Sequence, residues 1–119
     1  MRNDFVVGLQ KLGYNLTEHG HNRLWFPYLI PLGRFAGSEI RLGFEVDDGY
    51  PAVPPHGPHI APKLLPVNGG GGIHPDGAIH VSPFGEDWEH WSRPHPDWER
   101  TDRSVKAYMA FIRRLFDFQ

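Results

Sequence analysis

Between Asp47 and Pro96 the chain concentrates most of its twelve prolines, fourteen glycines and eight histidines. Proline removes a backbone donor and fixes φ, so this stretch excludes long helices and admits only short strands, expected around His59 to Ala61 and Ala78 to Val81. Extended regular structure must therefore come from the two ends. With Asn3 or Asp4 as N-cap, Phe5, Val6, Leu9 and Leu12 recur at helical spacing, and Gly13 sits where such a helix stops. The run RLWFPYLIPL, Arg23 to Leu32, is rich in strand formers, and Pro27 marks an edge position or a bulge. Next, Ile40, Leu42, Phe44 and Val46 alternate with Glu39, Arg41, Gly43 and Glu45, the pattern of a strand with one buried face. The short GRFAG loop between the two runs favours an antiparallel pairing. Asp102 is expected to cap a last helix whose Val105, Tyr108, Met109, Ile112, Leu115 and Phe116 form one apolar stripe, with Lys106, Arg113 and Arg114 outside it. The expected fold class is α+β in a single domain over residues 1–119: N-terminal helix, antiparallel β-meander, Pro/Gly-rich crossing and C-terminal helix.

A chain of 119 residues buries roughly two-thirds of its unfolded surface, enough for a core. Its net charge of −2 offers no cationic field for phosphate, so neither nucleic acid nor an anionic membrane is an expected partner. No apolar run approaches the ~20 residues that span a bilayer, and the apolar part of MRNDFVVGLQ is too short for a signal peptide, so a cytoplasmic protein is expected. The chain contains no cysteine, which removes disulfides, thiolate metal ligands and thioester chemistry together.

The remaining candidates are serine and histidine. Ser82 or Ser92 as an acyl acceptor, with His80 or His90 as its general base, would give an oxyester, and His80 and Ser82 at i, i+2 share one face of a strand. Ser82, before Pro83, equally suits a turn. His56, His59, His74, His80, His90 and His95, with Asp76, Glu86 and Asp87, form a dense ligand set, but their spacing matches no metal motif, and neither metal nor cofactor is expected. The GGGG run at 69–72 lacks the Gly-Lys-Ser/Thr of a phosphate loop and reads as flexible. Trp91 and Trp98 are expected to pin an irregular loop on the last helix. Trp88, flanked by acidic residues, is expected at the surface as a binding residue, with Glu86, Asp87 and Glu89 forming a solvated acidic face.

Three motifs carry a family resemblance. GYPAVPP, with Tyr50, Pro51, Pro54 and Pro55, resembles the Tyr-Pro-x-x-Pro-Pro turn of ubiquitin-conjugating enzymes. IHPDGAIHV, residues 73–81, resembles their His-Pro-Asn motif followed by Gly-x-Ile-Cys-Leu, shortened by a deletion. HWSRP, with Trp91, falls where the family has a Trp-Ser-Pro element. In addition, WFPYLIPLGRF and WSRPHPDW are similar to the prokaryotic ubiquitin-conjugating-like branch, whose members occur with ubiquitin-like modifiers, activating-enzyme-like proteins and metalloprotease deubiquitinase relatives. The resemblance implies a ubiquitin-conjugating-like fold, with His74 and Pro75 at the motif positions, Asp76 in place of the oxyanion-stabilising asparagine and His80 in place of the cysteine. A carboxylate only accepts hydrogen bonds, so Asp76 would repel an oxyanion, and an imidazole forms no stable thioester. The implied function is a cysteine-less variant that binds or scaffolds a ubiquitin-like protein, its activating-enzyme-like partner, or both, through the loop from Ile73 to Trp91, with Glu86, Asp87, Trp88 and His90 as contacts. The alternatives are an acyl carrier using Ser82, Ser92 or transiently His80, and a His-rich metal-binding protein.

Overall fold

The computed structural model describes residues 2–20, 22–64, 79–92, 95 and 97–118. Helix α1 (Arg2–Lys11) leads into β1 (Thr17–Glu18), β2 (Arg23–Leu29), β3 (Glu39–Glu45), β4 (His59–Ala61), β5 (Ile79–Val81) and β6 (Glu89–Trp91). A 3-10 turn (Trp98–Arg100) precedes helix α2 (Val105–Phe118). The strands form one six-stranded sheet in the order β1-β2-β3-β4-β6-β5, every neighbouring pair antiparallel. The α+β expectation therefore holds at this level.

The alternation in β3 does what its spacing predicts: Ile40, Leu42, Phe44 and the following Val46 are buried, while Glu39 and Arg41 are exposed. The buried face receives both helices. Phe5 of α1 meets Phe44 and Tyr108 with ring centroids 5.6 and 6.0 Å away, and Phe44 lies 5.3 Å from Tyr108, so three elements interlock edge-to-face at one point. The predicted stripe on α2 is buried throughout, joined by Phe111. Pro27 occupies the edge position expected of it. Ile30 bonds toward the β3 hairpin and the Arg23 carbonyl bonds to His19, so alternation turns the Pro27 nitrogen away from β3. There, beyond the two residue pairs made by β1, its missing N–H breaks no ladder bond.

Several boundaries differ from expectation, each for a local reason. Helix α1 begins at Arg2, so Asn3 and Asp4 lie inside its first turn, and Leu12 falls past its end with 45% of its surface exposed. Strand β2 stops at Leu29 because the Ile30 carbonyl takes the Gly37 N–H and the Ser38 N–H turns back to the Phe35 carbonyl, closing the hairpin. The cap of α2 is Ser104, whose Oγ accepts from the Ala107 N–H at 3.0 Å; Asp102 instead accepts from the Ser104 N–H at 3.0 Å, one step upstream. Ser104→Ala is accordingly expected to cost about 1 kcal/mol by urea denaturation, more than Asp102→Ala.

The proline turn is fastened from three directions. Tyr50 Oη donates to the Arg103 carbonyl (3.1 Å), Trp98 Nε1 to the Pro51 carbonyl (2.8 Å) and Tyr108 Oη to the Pro55 carbonyl (3.3 Å). Buried Trp98 thus joins the turn to α2, and Trp91, fully buried, packs 5.3 Å from Phe116. Both tryptophans take the structural role expected of them. The glycine run at 69–72 lies outside the described residues.

Candidate functional site

Strand register builds a transverse row on the sheet face opposite the helices. Gly43 pairs with His59, His59 with His90, and His90 with His80, from β3 through β4 and β6 to β5. Gly43 leaves a flat place in this row: a Cβ there would stand 2.8 Å from the Phe84 ring and 3.1 Å from Trp88. After Val81 the chain leaves the sheet edge and returns over the row, laying Phe84 and Trp88 on that place. Phe84 stacks on Trp88 at 4.8 Å and lies 4.7 Å from His59.

This return brings Ser82 to His59. Its Oγ lies 2.8 Å from His59 Nδ1 and accepts from the Phe84 N–H at 3.1 Å. On the other side of the ring, Nε2 lies 3.4 Å from Glu45 Oε1, and Glu45 is held by Arg23 at 3.1 Å. A carboxylate only accepts, so Glu45 favours the tautomer with the proton on Nε2, in which Nδ1 accepts from the Ser82 hydroxyl. Hydroxyl, imidazole and carboxylate thus stand in sequence, with Glu45 at ion-pair rather than hydrogen-bond distance from the ring. His59 is 1% exposed. Burial first, then the adjacent His90 and Arg23, hold its pKa down at about 3. The ring is therefore neutral at ordinary pH, free to accept a proton but weak at keeping one.

The histidine in contact with Ser82 is thus His59, where His80 or His90 was expected. His90 stacks flat on His59, ring centroids 4.1 Å apart and planes at 7°, and its buried Nε2 has no hydrogen-bond partner among the described residues. Burial also lowers the His90 pKa. His80, next in the row, is exposed on β5, the last strand in the sheet order. The i, i+2 spacing does set His80 near Ser82 in sequence, but Ser82 has by then left the strand. Ser92 is half-buried directly after β6.

Two expected surface residues are internal. Trp88 is 5% exposed, because its ring covers the glycine gap in β3 beside Trp25 and under Arg41. Glu89 is fully buried on the helix side, accepting from the Leu64 N–H (2.8 Å) and Trp91 Nε1 (3.0 Å), and these bonds offset the burial of its polar atoms. Glu86 and Asp87 remain exposed. His74, Pro75 and Asp76 lie outside the described residues. Among the described residues no group of three His, Asp or Glu side chains is placed to hold a metal ion. His56 is exposed, and His95 packs against Phe111 and Trp98, apart from the row.

Ser82 opens onto a cleft of about 390 Å³ lined by Lys63, Val81, Pro83, Glu86 and Trp88. A larger groove of about 760 Å³ between β2 and α2 is lined by Tyr14, Tyr28, Lys106 and Arg113. Burial raises the pKa of Tyr28 to about 12, so its phenol stays protonated and supplies no base. Among the described residues no helix is long and apolar enough to cross a membrane. No family model matches the chain, and no curated protein or solved structure matches it.

Proposed function

We propose that this chain is a ubiquitin-conjugating-like protein that works without thioester chemistry, binding a ubiquitin-like protein, its activating-enzyme-like partner, or both, at the β5–β6 end of the sheet. The observation that carries the reading is the character of β5. The segment resembling the family's cysteine strand forms the end of the sheet order with His80 and Val81 exposed, Val81 at 75%, and contains no thiol. An apolar residue this exposed beside the acidic pair Glu86 and Asp87 suits a partner that offers a small apolar surface ringed by cations. The order of helix, meander, proline turn, irregular crossing and closing helix supports the ubiquitin-conjugating-like fold, as does the triple fastening of the Tyr50–Pro55 turn. A metalloprotease deubiquitinase-like protein is a further partner on the same reading.

Size-exclusion chromatography tests it, with the full chain and a ubiquitin-like and an activating-enzyme-like protein from the same genome. The expected result is co-elution with one of them without ATP, unaffected by reducing agent, and weakened about tenfold or more by Val81→Asp. Absence of any complex at concentrations near 100 µM, roughly the weak limit of a functional contact, would contradict the reading.

A further inference from the structure

We infer that Ser82 is an acyl acceptor, its hydroxyl activated by His59 with Glu45 behind the ring and its substrate an activated acyl donor held in the cleft beside Lys63. This goes beyond the binding role and stands on side-chain geometry alone, so it survives or fails independently of any modifier.

The first observation is the short contact at the hydroxyl. Ser82 Oγ lies 2.8 Å from His59 Nδ1 and accepts from the Phe84 N–H, and the Glu45 carboxylate, 3.4 Å from Nε2, favours the tautomer in which Nδ1 takes the hydroxyl proton. The second is access. A serine serving only to satisfy a buried histidine has no need of an opening, yet Ser82 is half-buried and lines the cleft. The third is the lining: Val81, Pro83 and Trp88 give apolar walls for an acyl chain or backbone, and Lys63 supplies a cation for a developing oxyanion.

In the step itself the Ser82 oxygen forms a bond to the acyl carbon as its proton passes to His59 Nδ1. The bond to the leaving group then breaks, its electron pair departing with that group, and His59 returns the proton to it or to water. Thioesters and mixed phosphoric anhydrides, whose leaving groups depart as anions, ask of His59 only that it take the Ser82 proton, and they are the donor class the site suits. The product is an oxyester on Ser82.

A fluorophosphonate probes this chemistry directly, because attack by an activated serine expels fluoride and leaves a stable phosphonyl ester. Intact-mass spectrometry of the full chain is expected to show one adduct, mapped by peptide sequencing to Ser82 and absent in Ser82→Ala. Glu45→Gln is expected to slow labelling about tenfold or more, with Glu45→Asp partly restoring the rate and circular dichroism unchanged in both. No adduct on the wild-type chain, under exposure that fully labels a serine esterase, would overturn the inference. An adduct mapped to any other residue would overturn it equally, whether or not the variants fold.

Discussion

Trp91→Ala is expected to cost 3–5 kcal/mol of stability, the range for emptying a large aromatic site, and so to consume much of the net stability, roughly 5–15 kcal/mol, of a domain this size. Trp91 is fully buried, its ring lies 5.3 Å from Phe116, and its Nε1 donates to the buried Glu89 carboxylate at 3.0 Å. Truncation opens a cavity between β6 and α2 and takes the Trp91 Nε1 donor from Glu89. Trp91→Phe keeps most of the packing and loses the hydrogen bond, so it is expected to cost about 1–3 kcal/mol. Urea titration separates the two, with midpoints shifted and slopes unchanged. A loss below ~1 kcal/mol for the alanine variant would mean that Trp91 is not a keystone of the core and would return it to the candidates for partner contact.

His59 is expected to make the protein markedly sensitive to acid. In the folded chain its pKa is held down at about 3, whereas an unhindered imidazole takes up its proton near 6.5. Below pH 6.5 the unfolded chain binds a proton that the fold refuses, so stability falls as pH falls and stops falling near pH 3. At about 1.4 kcal/mol per pH unit the whole loss is roughly 5 kcal/mol, and by pH 4.5 roughly 3. The ring is faced by Arg23 and Glu45 from β2 and β3, by His90 from β6 and by the Ser82 hydroxyl; Arg23 and His90 oppose protonation, and the Glu45 carboxylate lies 3.4 Å from Nε2. His90 itself adds to the loss in the same direction, because burial lowers its pKa too. Denaturation of the wild type and His59→Gln at pH 7 and 4.5 isolates the His59 share. The wild type is expected to lose roughly 3 kcal/mol more than the variant between the two, and parallel losses would contradict the burial of a neutral ring.

The elements that sequence periodicity revealed are those with one clean face. Strand β3 alternates Ile40, Leu42, Phe44 and Val46 with polar or glycine residues, and α2 repeats its apolar residues at three and four, so the core face of each reads directly from the chain. Strand β6 does not. Glu89 turns its carboxyl group inward, where Leu64 and Trp91, distant in sequence from one another, both donate to it. Trp88 misled for a related reason: its acidic neighbours Glu86 and Asp87 are exposed, but the hole it fills is made by Gly43, 45 positions earlier by sequence number. The Ser82 site shows the same limit in sharper form. The local pair His80 and Ser82 was visible, while the actual partner, His59, sits on a strand separated from β5 by β6 and reaches Ser82 because the chain folds back across the sheet. A lone histidine in the three-residue run His-Ile-Ala carries no periodic signal, so register rather than pattern decides its role.

Nuclear magnetic resonance titration of the isotope-labelled chain with a ubiquitin-like protein and, separately, an activating-enzyme-like protein from the same genome tests the central claim most directly. The account predicts saturable shift changes confined to residues 79–91, strongest at His80, Val81, Glu86 and Asp87, with no change in the mass of the chain. Spectra that stay unchanged to ~1 mM partner, or changes gathered instead on the groove between β2 and α2, would contradict it.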